Sequence, residues 1–268
     1  MHLVGTCEVF ISGGNHAAMG VFQTIQPGFQ PVHGDAPQVD DIAAHGFLIR
    51  GNQRVVSHIQ FNGWGEKQVN THDSRIAARV AERLGLPLLP SGLKGEAGGV
   101  EQDGHGLLMA HESSGVNDNR NPGLSRAEIT DRLLQAYGAD RMIWSEGVWG
   151  EEITDFHIDS LARFTGPGRV LMNLPDEPDM ENPYHLAGLD THDRLEAAGL
   201  QIEVIPEPEI GRVQQFDFVA SYVNYYVCNG AVIAAEFGDP ETDQIAREAL
   251  ARHYPGREVE MLNVDTLG

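Results

Sequence analysis

SYVNYYVCNGAVIAAEFGDPETDQIAREALARHYPGREVEML, residues 221–262, contains one whole structural cycle. The aromatic and β-branched run 222–227 and the apolar run 232–234 read as strands. Residues 241–254 then place Ile245, Ala246, Ala249 and Leu250 at helical spacing, and 259–262 returns to a strand. Strand, strand, helix, strand is the unit.

The same unit recurs upstream at irregular intervals. Phe47-Leu48-Ile49 and Val55-Val56-Ser57-His58-Ile59, joined at Gly51-Asn52, predict a hairpin, and Ile76, Ala77, Val80, Ala81 and Leu84 predict a helix stopped by Gly85. A second cycle has strands at Gly98-Gly99-Val100 and Leu107-Leu108-Met109, a capping-box helix start at Ser125-Arg126-Ala127-Glu128, and a strand at 141–144. A third runs through 158–164, 170–172, a helix over 192–198 and a strand at 202–205. Repeated units of this length can close radially around a cavity lined by strand ends and loops. An open α/β sheet fits the same periodicity. Residues 1–45, rich in Gly, Pro and His, show no periodicity and stay unassigned.

The chain has 268 residues, 41% of them hydrophobic, enough for a sizeable core. Asp and Glu outnumber Lys and Arg by 39 to 18, and the net charge of −21 argues against nucleic acid and anionic membranes as partners. It suits a small cationic substrate, or simply solubility. Two cysteines, Cys7 and Cys228, make no disulfide framework and no zinc spacing, and no apolar run is long enough to span a bilayer, so the expected compartment is the cytoplasm.

Chemistry concentrates in Glu152-Ile153-Thr154-Asp155-Phe156-His157-Ile158-Asp159. On an extended stretch His157 and Asp159, two apart, would face one side, bringing an imidazole and a carboxylate together. Taken alone, the motif reads more often as a surface histidine flanked by solvated acids. In Gly95-Glu96-Ala97-Gly98-Gly99 the glycines would let Glu96 be presented into a cavity, with Asp103-Gly104 as a hairpin turn. Phe61-Asn62-Gly63-Trp64-Gly65-Glu66-Lys67 reads as a pocket-rim loop in which Trp64 could cover a cationic ligand, although core packing is the commoner fate of such a tryptophan. Asn117-Asp118-Asn119-Arg120-Asn121-Pro122 reads as turn and cap. A metal site on His157 and Asp159 lacks a second histidine cluster to support it.

Taken together, FNGWGEK (61–67), GEAGGVEQDGHGLLMAHESSGVNDNRNPGLSRAEI (95–129), TDFHID (154–159) and SYVNYYVCNGAVIAAEFGDPETD (221–243) resemble agmatine deiminases and bacterial peptidylarginine deiminases in order and spacing across residues 46–268. The resemblance implies an α/β fold of the pentein-type α/β propeller, five-bladed in the family, with about four blades' worth of sequence here. It implies a hydrolase that converts agmatine and water to N-carbamoylputrescine and ammonia through a cysteine thiouronium intermediate, a step of polyamine and putrescine biosynthesis, with no cofactor and no metal. Arginine or peptidylarginine deimination, or silent guanidinium binding, remain alternatives, and a homo-oligomer stays open. By matched position, His157 and Glu96 are the catalytic residues, and Asp159, Asp155 and Trp64 are the substrate-binding ones. Phe156 stands where the family usually has glycine, and Ala44 where it has a second guanidinium-gripping aspartate. The family's nucleophile lies in a G-G-N-x-H-C stretch that would follow residues like 257–268, so no nucleophile is expected in this chain, which is read as incomplete at both ends. Gly13-Gly14-Asn15-His16 near Cys7 is in the wrong order for that motif, and Cys228 reads as a buried apolar side chain.

Overall fold

A computed structural model describes residues 45–50, 53–209, 212–213, 218–228 and 230–265. Cys7, Ala44, the Gly51-Asn52 turn and the other readings made for residues 1–44 lie outside them. Among these described residues, four three-stranded sheets follow one another along the chain, each in the order first, second, third strand. The first holds β1 (His45–Arg50), β2 (Gln53–Gln60) and β3 (Leu88–Lys94), with α1 (Ile76–Leu84) in the crossover. The second holds β4 (Glu101–Gln102), β5 (Leu107–His111) and β6 (Arg141–Ser145), with α2 (Arg126–Tyr137). The third holds β7 (Ala162–Gly166), β8 (Arg169–Asn173) and β9 (Gln201–Ile205), with α3 (Pro183–Ala197); the fourth holds β10 (Tyr226–Cys228), β11 (Ala231–Glu236) and β12 (Glu258–Asn263), with α4 (Pro240–His253). In every sheet the first pair is antiparallel and the second parallel, as a hairpin followed by a helical crossover requires.

Helices join the sheets. Besides its own sheet, α2 packs on β2 and β3 of the first module, α3 on β6 of the second, and α4 on β9 of the third. Buried clusters therefore straddle module boundaries: Ile59 and Leu93 pack with Ile129 and Leu133 of α2, Leu107 and Met109 with Phe164, Val170 and Met172, and Leu171 and Ile205 with Val232, Ala246 and Leu250. Neighbouring modules thus share their buried apolar faces.

Local signals held where the chain carries strong caps. Gly85 and Gly138 end α1 and α2 in the left-handed conformation, and Ser125 and Glu128 form the expected capping box. Four readings need correction. Gly98 and Gly99 lie in a 3-10 turn, Ala97–Gly99, rather than a strand. Residues 158–160 likewise form a 3-10 turn before β7. The helix expected over 192–198 starts at Pro183, capped by Asn182; Gly188 disguises it, and glycine is needed there because a Cβ would come within 2.5 Å of Leu174. Tyr222 and Tyr225 are wholly buried struts instead of ladder residues: the Tyr222 amide donates to Asn173 Oδ1 (2.7 Å) and its hydroxyl to Asp243 Oδ1 (2.8 Å).

One buried ion pair ties three modules together. Arg163 on β7 lies 2.9 Å from Glu101 on β4, donates to the Tyr225 carbonyl and stacks over the Tyr225 ring at 4.8 Å. Burial outweighs the neighbouring guanidinium and pushes the Glu101 carboxyl up to about 7. Removing one partner strands the other in the core. Arg163→Met is expected to cost about 3–5 kcal/mol in urea unfolding at pH 8, and the double variant Glu101→Gln/Arg163→Met distinctly less; equal losses would show that the cost lies in the Tyr225 contacts of Arg163 and not in a stranded Glu101.

Candidate guanidinium site

The site assembles where the 3-10 turn Ala97–Gly99 meets the 3-10 turn Ile158–Ser160. Gly98 is glycine for a steric reason: a Cβ there would sit 2.3 Å from the Asp159 carboxylate, and one on Gly99 would touch the His157 ring at 3.7 Å. Both candidate side chains thus lie over one glycine pair. Alternation along a strand is not what brings them together, since Asp155 and Phe156 have φ of 60° and 61° and the segment turns. The co-facing expected of His157 and Asp159 is met by a different local geometry.

Glu96, Asp155, His157 and Asp159 are all buried. Nε2 of His157 lies 3.1 Å from Glu96 Oε2. Arg120 donates from Nε to both oxygens of Glu96, at 2.9 and 2.8 Å, and from Nη1 to Asp155 Oδ2 at 2.6 Å. Lys67 reaches the other Asp155 oxygen at 2.9 Å, and Asn119 and the Gly150 amide complete its partners. Burial opposes ionisation of Asp155, but the donors Arg120, Lys67 and Asn119 prevail and hold its carboxyl below the usual range. Asp155 is therefore occupied by the protein itself. Asp159 differs: burial pushes it up to about 6, against the pull of His157 and Arg163.

Around this centre, His111 is pushed down to about 4 by burial and is neutral. Its Nδ1–H donates to the Phe156 carbonyl at 2.8 Å, and its ring stacks on Phe156 at 4.8 Å; Tyr184 of α3 meets Phe156 edge-on at 5.1 Å. The loop 61–67 is strapped against the site. Asn62 donates to the Asn119 carbonyl, Lys67 to the Glu152 carbonyl, and a Cβ on Gly65 would strike the Asn119 side chain at 2.5 Å. Trp64, half-buried at φ 53°, packs edge-on against Phe61 at 5.0 Å.

Cys228 is half-buried on β10, its thiol donating to the Ala231 carbonyl of its own hairpin. Among the described residues, the group able to hold a metal is His192, Asp193 and Glu196 on the outer part of α3, not His157 with Asp159. Among the described residues, no helix is long and apolar enough to cross a membrane.

The structure brings together Glu96, Asp155, His157 and Asp159, all singled out from the sequence, around Arg120, which the sequence reading took for part of a turn; Asp155, expected to bind substrate, is paired with Arg120 and Lys67. The available signal was an arginine between two acidic motifs in a chain short of cations. Phe156 supplies a test of the local strain. A left-handed φ costs a bulky residue on the order of 1–2 kcal/mol, while the stack returns about 0.5–1.5 kcal/mol. Phe156→Gly is expected to unfold at higher denaturant than Phe156→Ala by about 1 kcal/mol, because alanine keeps the strain without the stack.

A sequence model of the Porphyromonas-type peptidyl-arginine deiminase matches residues 40–268. A putative agmatine deiminase of Streptomyces coelicolor is 32% identical over 230 residues, covering 81% of this chain and 67% of that protein. The agmatine deiminase of Medicago truncatula is 30% identical, covering 74% and 61%. The chain thus spans 61 to 67% of the length of these two relatives. Among solved structures, a putative arginine deiminase from Porphyromonas gingivalis superposes with a TM-score of 0.74 at 26% identity, covering 84% of this chain and 70% of that one. The substrate-bound C315S agmatine deiminase of C. jejuni superposes with a TM-score of 0.73 at 21% identity, covering 84% and 69%.

Proposed function

Because the chain belongs to the Porphyromonas-type peptidyl-arginine deiminase family, we propose that residues 46–268 are a deiminase domain acting on a small guanidinium cation, agmatine first. Its fold is the pentein-type α/β propeller, represented here by four modules. The observation that carries the reading is the buried Glu96 and His157 pair, 3.1 Å apart, beside an Asp159 carboxylate laid over Gly98.

A guanidinium is a planar, resonance-stabilised cation, and capture requires an anion positioned against it. Asp159 fills that role, with Trp64 at the rim. A thiol gives its proton to His157 and the resulting thiolate adds to the guanidinium carbon; His157 passes that proton to the departing nitrogen, and ammonia leaves a thiouronium. His157 next takes a proton from water as its oxygen adds to the same carbon; the C–S bond breaks, the sulfur regains the proton held by His157, and the remaining hydroxyl proton passes to solvent as N-carbamoylputrescine is released. Residues 1–268 contain no G-G-N-x-H-C stretch, and Cys228 is engaged in its own hairpin. Guanidinium binding is assigned to the described residues, and turnover to a polypeptide that also carries such a thiolate. In the cell this reaction would serve putrescine formation in the cytoplasm.

Asp159 supplies the pH dependence. With its carboxyl pushed up to about 6, it is protonated below that pH and must lose the proton before it can hold a cation. The association constant for agmatine, measured by calorimetry, is expected to fall about tenfold per pH unit below about 6. Asp159→Asn should bind at least about tenfold more weakly at pH 8, with a flat profile. A folded protein giving no heat with agmatine or arginine would refute the reading; tighter binding of arginine or an arginyl peptide would move the substrate assignment to that class. The 268-residue chain should release no ammonia from agmatine, and turnover surviving Cys7→Ser/Cys228→Ser would remove the thiolate from the mechanism.

A further inference from the structure

Arg120 is a guanidinium already inside a guanidinium-binding protein. It is wholly buried, and its donors are spent on the site: Nε on Glu96, Nη1 on Asp155 and on Asn119 Oδ1 at 3.0 Å, Nη2 on the Thr154 carbonyl at 2.9 Å. The local charges balance, with Glu96 and Asp155 against Arg120 and Lys67. Such a residue can hold the catalytic carboxylate in one place without touching substrate.

We propose that Arg120 is the positioning residue of this site: it clamps Glu96 so that Glu96 takes a proton-bearing Nε2 of His157, which leaves Nδ1 of His157 to exchange protons with substrate and Asp159 to hold the cation. This rests on the deiminase reading for the identity of the substrate, though not for the clamp itself. The steps are short. Glu96, held by the Arg120 cation, is an acceptor only. Nε2 at 3.1 Å from its Oε2 must then be the donor. In neutral imidazole the other nitrogen is left bare, and a bare nitrogen is what accepts a proton from water or returns one to a leaving amine. Glu96 and Asp155 are both committed to Arg120, with Lys67 also on Asp155, so these two cations are taken up away from Asp159. A small cation therefore finds its anion at Asp159. The charged and titratable groups facing His157 are Glu96 and Arg120 across the Ala97–Gly99 turn, Asp159 on its own turn, and neutral His111 from the end of β5.

The test reads the imidazole directly and needs no turnover. In 15N-histidine-labelled protein, long-range 1H–15N spectra identify which nitrogen of His157 carries the proton, His157→Asn assigning the signal. The expected result is a protonated Nε2 with a downfield, slowly exchanging N–H resonance in the 268-residue chain. That resonance should be lost in Glu96→Gln and in Arg120→Gln, retained in part in Arg120→Lys, and restored to Arg120→Ala by millimolar guanidinium chloride. A proton on Nδ1 in the unaltered protein would overturn the assignment even if every variant failed to fold. So would an unchanged resonance in a natively folded Arg120→Gln. Absence of agmatine binding with the resonance intact would sink the deiminase reading and leave the clamp standing.

Discussion

The salt-bridged cluster of Glu96, Arg120 and Asp155 is the constraint around which the rest of the site is arranged. Three charges sit almost entirely out of water, a state tolerated only when each is matched by an opposite charge and by hydrogen bonds. Matching them requires three chain segments, 95–99, 117–121 and 150–157, to meet at fixed distances. Once they meet, His157 is pinned against Glu96 and the 3-10 turn that follows lays Asp159 over Gly98. The loop bearing Trp64 is held by the same cluster, through Lys67 on Asp155 and Asn62 on the Asn119 carbonyl.

The modular fold makes that meeting possible. Glu96 follows β3 of the first module, Arg120 lies in the crossover of the second, and His157 and Asp159 precede β7 of the third. Connections between modules thus converge, while α2, α3 and α4 each pack on the third strand of the module before their own. A second buried pair, Glu101 with Arg163, braces the same junction from behind and reaches the fourth module through Tyr225. Sealing and convergence belong together: helices that close the outer boundaries leave the loops at the junctions free to carry polar groups.

Legibility followed the range of the forces involved. Capping at Ser125, the left-handed stop at Gly85 and the alternation of strand and helix depend on residues within a turn or two, and these were readable. The segments 158–160 and 222–225 were not, because what keeps them off the ladder is distant: Asn173 and Asp243 for Tyr222, the Ala97–Gly99 turn for the residues after His157. The left-handed turn at Asp155 and Phe156 hid for a related reason. Phenylalanine is a poor signal for positive φ, and its stack against His111, 45 positions away, holds the conformation.

What the sequence determined by itself was the repeating order of elements, the acidic balance, and the residue types of the site with their motif, since these are local or compositional properties. Only the tertiary structure decided which carboxylate is occupied by the protein's own cations. Asp155 and Asp159 stand four residues apart with the same chemistry. Packing gives Asp155 an arginine and a lysine and gives Asp159 burial against a glycine, so one is held ionised and the other is pushed up to about 6. The energy of a charge is set by the partners and solvent around it, and those come from segments far apart in the chain.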